Sequence, residues 1–252
     1  MTGPIMPTTT TSAPQVSAIR PKVLFQKVET TFPDANIMFS VSIPSSAIGG
    51  MTLLESSILV SLAKLTGAQT FFEFGTYMGA TSVLLASNAP PGAHVTTLDL
   101  PPAEIDLTAA SGDTAALILQ NDTENDNFLR RQFAEKGAFY IDRAPADVQS
   151  AITRLHLDSR KLNPQAQQLS GQFDFIFIDG GHDYETVAID TANALAMAKP
   201  DSVILWHDYR SKIHGDVTRF VDDFSGDRAV IHIENTMLAF ILNGNFKHLL
   251  AR

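Results

Sequence analysis

The chain alternates short, strongly apolar runs with longer stretches in which apolar residues return at helical spacing. Residues 52–65, TLLESSILVSLAKL, repeat apolar positions with a helical period and leave Glu55 on the polar face. Residues 68–74, AQTFFEF, predict a buried strand, and residues 80–87, ATSVLLAS, a helix. A second strand is expected in AHVTTLDL, residues 93–100, closing on Asp99 before Pro101 and Pro102. Residues 101–127 are polar, irregular and longer than an ordinary connection, which suggests a lid or binding loop.

Farther along, DNFLRRQFAEKG (126–137) predicts a helix, AFYIDR (138–143) a strand and PADVQSAITRL (145–155) a helix, followed by a polar linker through Gln168. Two very apolar strands are expected in FDFIFID (173–179) and SVILWHD (202–208), with the helix YETVAIDTANALAMA (184–198) between them. KPDSV, residues 199–203, reads as a turn before the second of these strands. A helix near GDVTRFVDDF (215–224) precedes AVIHIE (229–234) and TMLAFIL (236–242), which are too close in sequence for anything but a hairpin. Strands alternating with helices predict an α/β, doubly wound, Rossmann-like sheet with helices on both faces. Its expected form is seven strands, mostly parallel, with one antiparallel strand from the C-terminal hairpin. Residues 1–20, rich in Thr and Pro, read as a disordered tail, 21–50 as an N-terminal cap segment and 51–252 as the main domain.

Composition narrows the function classes. A hydrophobic content of 44% against 18% charged residues is that of an ordinary globular chain. The net charge of -9, with no basic run, argues against a nucleic-acid partner. Absence of cysteine removes thiolate chemistry and Cys-held metals and fits a reducing, cytoplasmic setting. No apolar stretch approaches the roughly eighteen residues of a membrane span, so no membrane partner is expected.

Open α/β sheets bind ligands beyond the carboxyl ends of their strands. The residues expected there are 73–79, Asp99, Asp142, 179–182 and 207–208, so acidic and polar groups close five successive strands. Gly75 allows close approach to the backbone and Gly79 opens the next helix, although a plain strand-to-helix turn explains that pair as well. The G-x-G-x-x-G pattern is broken by Tyr77 and Ala80, which disfavours NAD and FAD, and no Walker loop is present. Asp99 is placed to accept from both hydroxyls of a ribose; a turn-forming Asp before proline is the bland alternative.

FEFGTYMGATSVLLAS, VTTLDLPP and FDFIFIDGGHDYETVAIDTANALAMAKPDSVILWHDY resemble class I S-adenosylmethionine-dependent methyltransferases. Within that superfamily they are most similar to small-molecule O-methyltransferases of the macrocin and catechol types. The resemblance covers roughly residues 51–244. It implies that Glu73, Gly75 and Gly79 line the methionine end of the cofactor; Thr76 and Tyr77, in the same loop, are also expected to be cofactor-binding, with Tyr77 as a wall of the pocket. It also implies that Asp99 holds the ribose, that Asp142 lies near the adenine and that Asp179 borders the cofactor. A divalent metal, Mg²⁺ or Mn²⁺, would be held by Asp179, His207 and Asp208. His207 departs from the usual acidic or amide ligand: an imidazole shifts preference toward Mn²⁺, Fe²⁺ or Zn²⁺, and the alternative is that it packs beneath the ligand.

His182, three positions past Asp179, matches the general-base histidine of macrocin-type enzymes, and its ordinary pKa of about 6.5 suits that work. A helix-entry histidine is the rival reading. Asp183 reads as a helix N-cap, and Trp206 as buried packing. His94, His156, His214, His232 and His248 have no context that assigns them a role. The expected function is methyl transfer from S-adenosylmethionine to a hydroxyl of a small molecule, with metal assistance. The alternatives are a metal-independent O- or N-methyltransferase and a non-catalytic cofactor-binding protein of the same fold. The N-terminal segment is a candidate for mediating a homodimer.

Overall fold

In the computed structural model, residues 16–33, 39–41, 49–101 and 122–250 are described. The elements in chain order are β1 (Val16–Ile19), α1 (Pro21–Thr31), α2 (Leu53–Thr66), β2 (Thr70–Phe74), α3 (Ala80–Asn88) and β3 (His94–Asp99). Then come α4 (Asp122–Lys136), α5 (Ala146–Ser150), β4 (Ile152–His156), β5 (Phe173–Ile178) and α6 (Tyr184–Met197). The chain continues with β6 (Ala198–Trp206), α7 (Gly215–Phe224), β7 (Val230–Ile233) and β8 (Ala239–Leu242). The strands form one sheet in the order β1-β7-β8-β6-β5-β2-β3-β4. Only β8 runs antiparallel to its neighbours, β6 and β7.

Two cores explain why the central strands are apolar throughout. Phe71, Phe175, Phe177, Val203 and Leu205 face α2, whose Ile58, Leu59 and Leu62 are fully buried. Phe72, Phe74, Ile176, Ile178, Ile204 and Trp206 face the opposite way, onto Val187 and Met197 of α6 and Val217 and Val221 of α7. Alternate residues therefore feed opposite layers, and each fully buried aromatic contributes about 1.5–3 kcal/mol. Trp206 packs as expected, its indole N–H donating to Thr191 Oγ1 at 2.8 Å.

The register carries each strand end to one rim. Gly75 N–H donates to the Leu98 carbonyl, Asp179 N–H to that of Phe74 and His207 N–H to that of Ile178. Residues that follow β2, β5 and β6 thus emerge side by side.

The structure corrects several expectations. The sheet has eight strands rather than seven, because Val16–Ile19, expected in a disordered tail, pairs in parallel with β7. Residues 1–15 of that tail lie outside the described residues. AFYIDR is not a strand: Ile141–Arg143 form a 3₁₀ turn, and Ile141 packs with Val83 and Ala138. The strand beside β3 comes instead from Ile152–His156, inside the expected helix, where only the short α5 precedes it. Asp142 therefore ends no strand. KPDSV is not a turn but the first part of β6. The cap segment divides: Leu24 of α1 is buried in the core with α2, while Val41, Gly49 and Gly50 border the cavity described below. Residues 34–38 and 42–48 of that segment, and 102–121 of the expected lid, lie outside the described residues.

Candidate active site

A cavity of about 800 Å³ opens at the carboxyl ends of β2, β3, β4, β5 and β6. Its first wall is the loop after β2. Gly75 and Gly79 both have left-handed backbone, and a Cβ on Gly75 would run into the Asp179 carbonyl, so only glycine fits there. Tyr77 shares the left-handed region at φ +48. Its N–H donates to Asp99 Oδ2 at 2.7 Å, while Leu100 N–H donates to Oδ1 at 2.7 Å. Asp99 is thereby fixed at the end of β3, facing the cavity, and burial pushes its acid up against those hydrogen bonds.

Glu73 sits behind this wall. It is 1% exposed and accepts from the hydroxyls of Ser82 and Thr97, the latter at 2.7 Å. Thr97 Oγ1 also pairs with Thr76 Oγ1 at 2.8 Å, so the carboxyl of Glu73 braces the loop through two hydroxyls. Burial raises its pKa to about 8 despite the two donors.

The second wall holds the charged cluster. Asp179 follows β5, and His207 and Asp208 follow β6, with Asp208 in the left-handed region at φ +59. His207 Nδ1 lies 3.1 Å from Asp179 Oδ1 and 3.4 Å from Asp208 Oδ2. Burial opposes charge on His207, but these two carboxylates outweigh it and hold its pKa well above the usual value. Its Nε2 is buried without a hydrogen-bond partner; the nearest carboxylate oxygen in an ion pair is Glu55 Oε2, at 3.8 Å. Glu55 is not on a solvent-facing polar surface as its helical position predicts. It closes a capping box with Thr52 and accepts from Met237 N–H at 2.7 Å.

His182 is the most connected member. Nδ1 meets Asp126 Oδ1 at 2.7 Å, Nε2 meets Asp208 Oδ2 at 3.2 Å, and the ring stacks on His214 with centroids 3.8 Å apart. Burial disfavours the imidazolium, but hydrogen bonds to Asp126 and Asp208 outweigh it and raise the pKa to about 10. The same imidazolium and that of His207 hold Asp208 well below the usual carboxylate range, against burial. Asp183 caps α6, accepting from Thr186 N–H at 3.0 Å.

The donor chemistry fits a divalent cation. Ligand atoms of Asp179, His182 and Asp208 lie mutually within 4.8 Å, and His207 Nδ1 borders both carboxylates. Two carboxylates give the oxygen donors that Mg²⁺ or Mn²⁺ takes, and an imidazole among them shifts preference toward Mn²⁺, Fe²⁺ or Zn²⁺.

Among the residues expected at the site, Gly75, Thr76, Tyr77, Asp99, Asp179, His182, His207 and Asp208 line the one cavity. Glu73 and Gly79 stand behind it, Gly79 packed on Ile141. Asp142 is outside it, half-exposed and paired with Arg154 at 3.0 Å. Sequence reading missed Asp126, Asp158, Asp190 and His214, all of which line the cavity. Asp158 alone carried a signal, since it follows the true fourth strand.

A family profile described as a methyltransferase domain matches residues 72–209. No curated protein matches the sequence. Among solved structures, an O-methyltransferase from Bacillus cereus in complex with S-adenosylhomocysteine aligns at 15% identity and TM-score 0.46, over 88% of this chain and 91% of that one. An O-methyltransferase from Streptomyces achromogenes involved in tomaymycin synthesis, in complex with S-adenosylmethionine, aligns at 16% and 0.47, over 88% and 90%. A methyltransferase of Podospora anserina bound to S-adenosylhomocysteine aligns at 13% and 0.45, over 97% and 100%. The profile spans more than half of the chain and its strand-end motifs, and the protein belongs to the methyltransferase-domain family, with a class I sheet.

Proposed function

We propose that the protein transfers the methyl group of S-adenosylmethionine to a hydroxyl of a small molecule, assisted by Mg²⁺ or Mn²⁺. One observation carries this reading. The glycine loop with Asp99 and the His182–Asp208 cluster face the same cavity, whose volume lies within the roughly 300–1,000 Å³ of ligand sites. A nucleoside-binding half and an acid–base half therefore share one enclosure.

When bound, S-adenosylmethionine supplies an electrophilic methyl group, and the divalent ion supplies positive charge that acidifies a hydroxyl. The chain's residues do the rest. Asp99 accepts from ribose hydroxyls, with its carboxylate pre-set by Tyr77 and Leu100. Asp179 and Asp208 would hold the metal, with His207 Nδ1 as third donor once that ring has released its proton. Asp126 orients His182 through Nδ1, leaving Nε2 as the atom that takes the acceptor's proton. That nitrogen is engaged by Asp208, so charge neutralisation at Asp208 is what frees it.

The test is methyl transfer from labelled S-adenosylmethionine to a panel of catechols, phenols and hydroxylated sugars, alongside calorimetry with S-adenosylhomocysteine. Binding together with labelled product supports the proposal. Absence of binding overturns it, and binding without transfer to any acceptor selects the non-catalytic alternative. Turnover that is unaffected by chelation favours a metal-free reaction, for which the Asp126–His182 pair is already arranged.

A further inference from the structure

His214 opens α7, yet its side chain makes no capping bond to that helix. The ring is buried, and it lies against the face of His182 with an interplanar angle of 24°. Asn125, itself buried, donates its amide N–H to His214 Nε2 at 3.2 Å. Asp126, the next residue of α4, meets His182 Nδ1. Consecutive helical side chains point about 100° apart, so one turn of α4 grips both rings of the stack. From the other side, His214 N–H is tied to Ser211 Oγ at 3.4 Å, and Arg210 N–H to Thr218 Oγ1 of α7 at 2.8 Å.

The stack has a mechanical consequence for His182. That residue follows Gly180 and Gly181, which bring no side chains to hold the loop. Its two nitrogens contact Asp126 and Asp208 in the plane of the ring, and such contacts leave the ring free to rock about the line joining them. Once Asp208 turns to a metal, only the Asp126 contact remains at the edge. A working side chain must be held to within roughly 10–20°, which one edge contact does not achieve. The flat face of His214 removes the rocking motion.

We propose that His214 is a positioning residue for the methyl-transfer reaction, a platform that keeps His182 Nε2 aimed at the acceptor hydroxyl, and that Asn125 holds the platform in place. The proposal rests on the function given above. His214 Nε2 stands 4.0 Å from Asp208 Oδ1, beyond hydrogen-bond reach, so the platform acts through His182 rather than on the carboxylate.

The full-length protein with saturating Mg²⁺ is assayed for methyl transfer from labelled S-adenosylmethionine, with thermal melts to establish folding. His214→Ala should lower kcat by about 10–10²-fold, the scale of a misplaced reacting group, with KM for S-adenosylmethionine unchanged. His214→Phe should recover most of that loss, because a flat ring is restored. Placed in a His182→Ala background, His214→Ala should change kcat by less than about twofold, since residues that act through one another are not additive. A wild-type kcat in folded His214→Ala, no recovery in His214→Phe, or an undiminished loss in the His182→Ala background overturns the proposal. Should His214→Ala not fold, Asn125→Ala takes its place: a fall in kcat that vanishes in the His182→Ala background supports the proposal, and any other result overturns it. If wild type methylates no acceptor, the functional reading fails by itself, and the platform is judged from ¹⁵N spectra of the imidazoles. The His182 ring signals should be single in wild type and His214→Phe, and broadened or split in His214→Ala or Asn125→Ala; unchanged signals overturn the platform.

Discussion

Asp126 Oδ1 lies 2.7 Å from His182 Nδ1, joining α4 to the loop after β5. This pair fixes which imidazole nitrogen faces the charged cluster. His182→Ala should lower turnover by about 10²–10⁴-fold, with S-adenosylhomocysteine and metal affinity retained. Asp126→Asn should act in the same direction, less severely, and let the His182 pKa fall. A His182→Ala protein that loses metal but little else would make His182 a ligand, the arrangement in which it groups with Asp179 and Asp208.

Metal removal tests the cluster electrostatically. A working base must be neutral, whereas the metal-free protein holds His182 protonated up to about pH 10. A cation beside Asp208 weakens that carboxylate's hold on the ring. The acid limb of the kcat/KM profile should therefore move to higher pH after chelation and return when Mg²⁺ or Mn²⁺ is added. Full activity and an unchanged limb after exhaustive chelation would contradict this. Asp179→Asn should weaken metal binding in calorimetry while S-adenosylhomocysteine still binds.

Asp99→Ala should weaken S-adenosylmethionine binding by about 1.5–3 kcal/mol, the scale of hydrogen bonds to a charged group. The same carboxylate also fastens Tyr77 and Leu100, so loop order should fall with it. Unchanged calorimetric affinity in a folded variant would remove Asp99 from the site.

Glu73 gives a stability test. Its folded pKa, about 8, lies above the ordinary 4.5, so between those values the folded state holds a proton that the unfolded chain releases. Stability from this group is full below pH 4.5 and declines as pH rises, levelling off above about 8. Glu73→Gln removes the dependence, and its melting temperature relative to wild type should rise steadily across that window. A constant difference would show that burial of Glu73 carries no ionisation cost.

Much of this was readable from local pattern, for identifiable reasons. FDFIFID and SVILWHD are buried on both faces, so their apolar runs admit few readings, and the residues closing them land at the site. The fourth strand was not readable, because β4 is an edge strand with Thr153, Arg154 and His156 exposed, while AFYIDR is apolar for local packing. β1 depends on a partner more than 200 residues away, since Val16 pairs with Val230. Asp126, Asp190 and His214 were missed for a related reason: each belongs to a different element, and their convergence on one cavity is a product of helix packing rather than spacing.

Glu55 illustrates how closely scaffold and chemistry are shared. One oxygen closes the start of α2 with Thr52 and stands opposite His207; the other receives the hairpin N–H of Met237. A mutational scan scored by protein abundance would class this residue with the core. A scan scored by product formation should find it sensitive as well, if the imidazole of His207 serves the reaction. Such a position leaves little room for gradual tuning, because any change that adjusts the imidazole also loosens two separate parts of the scaffold.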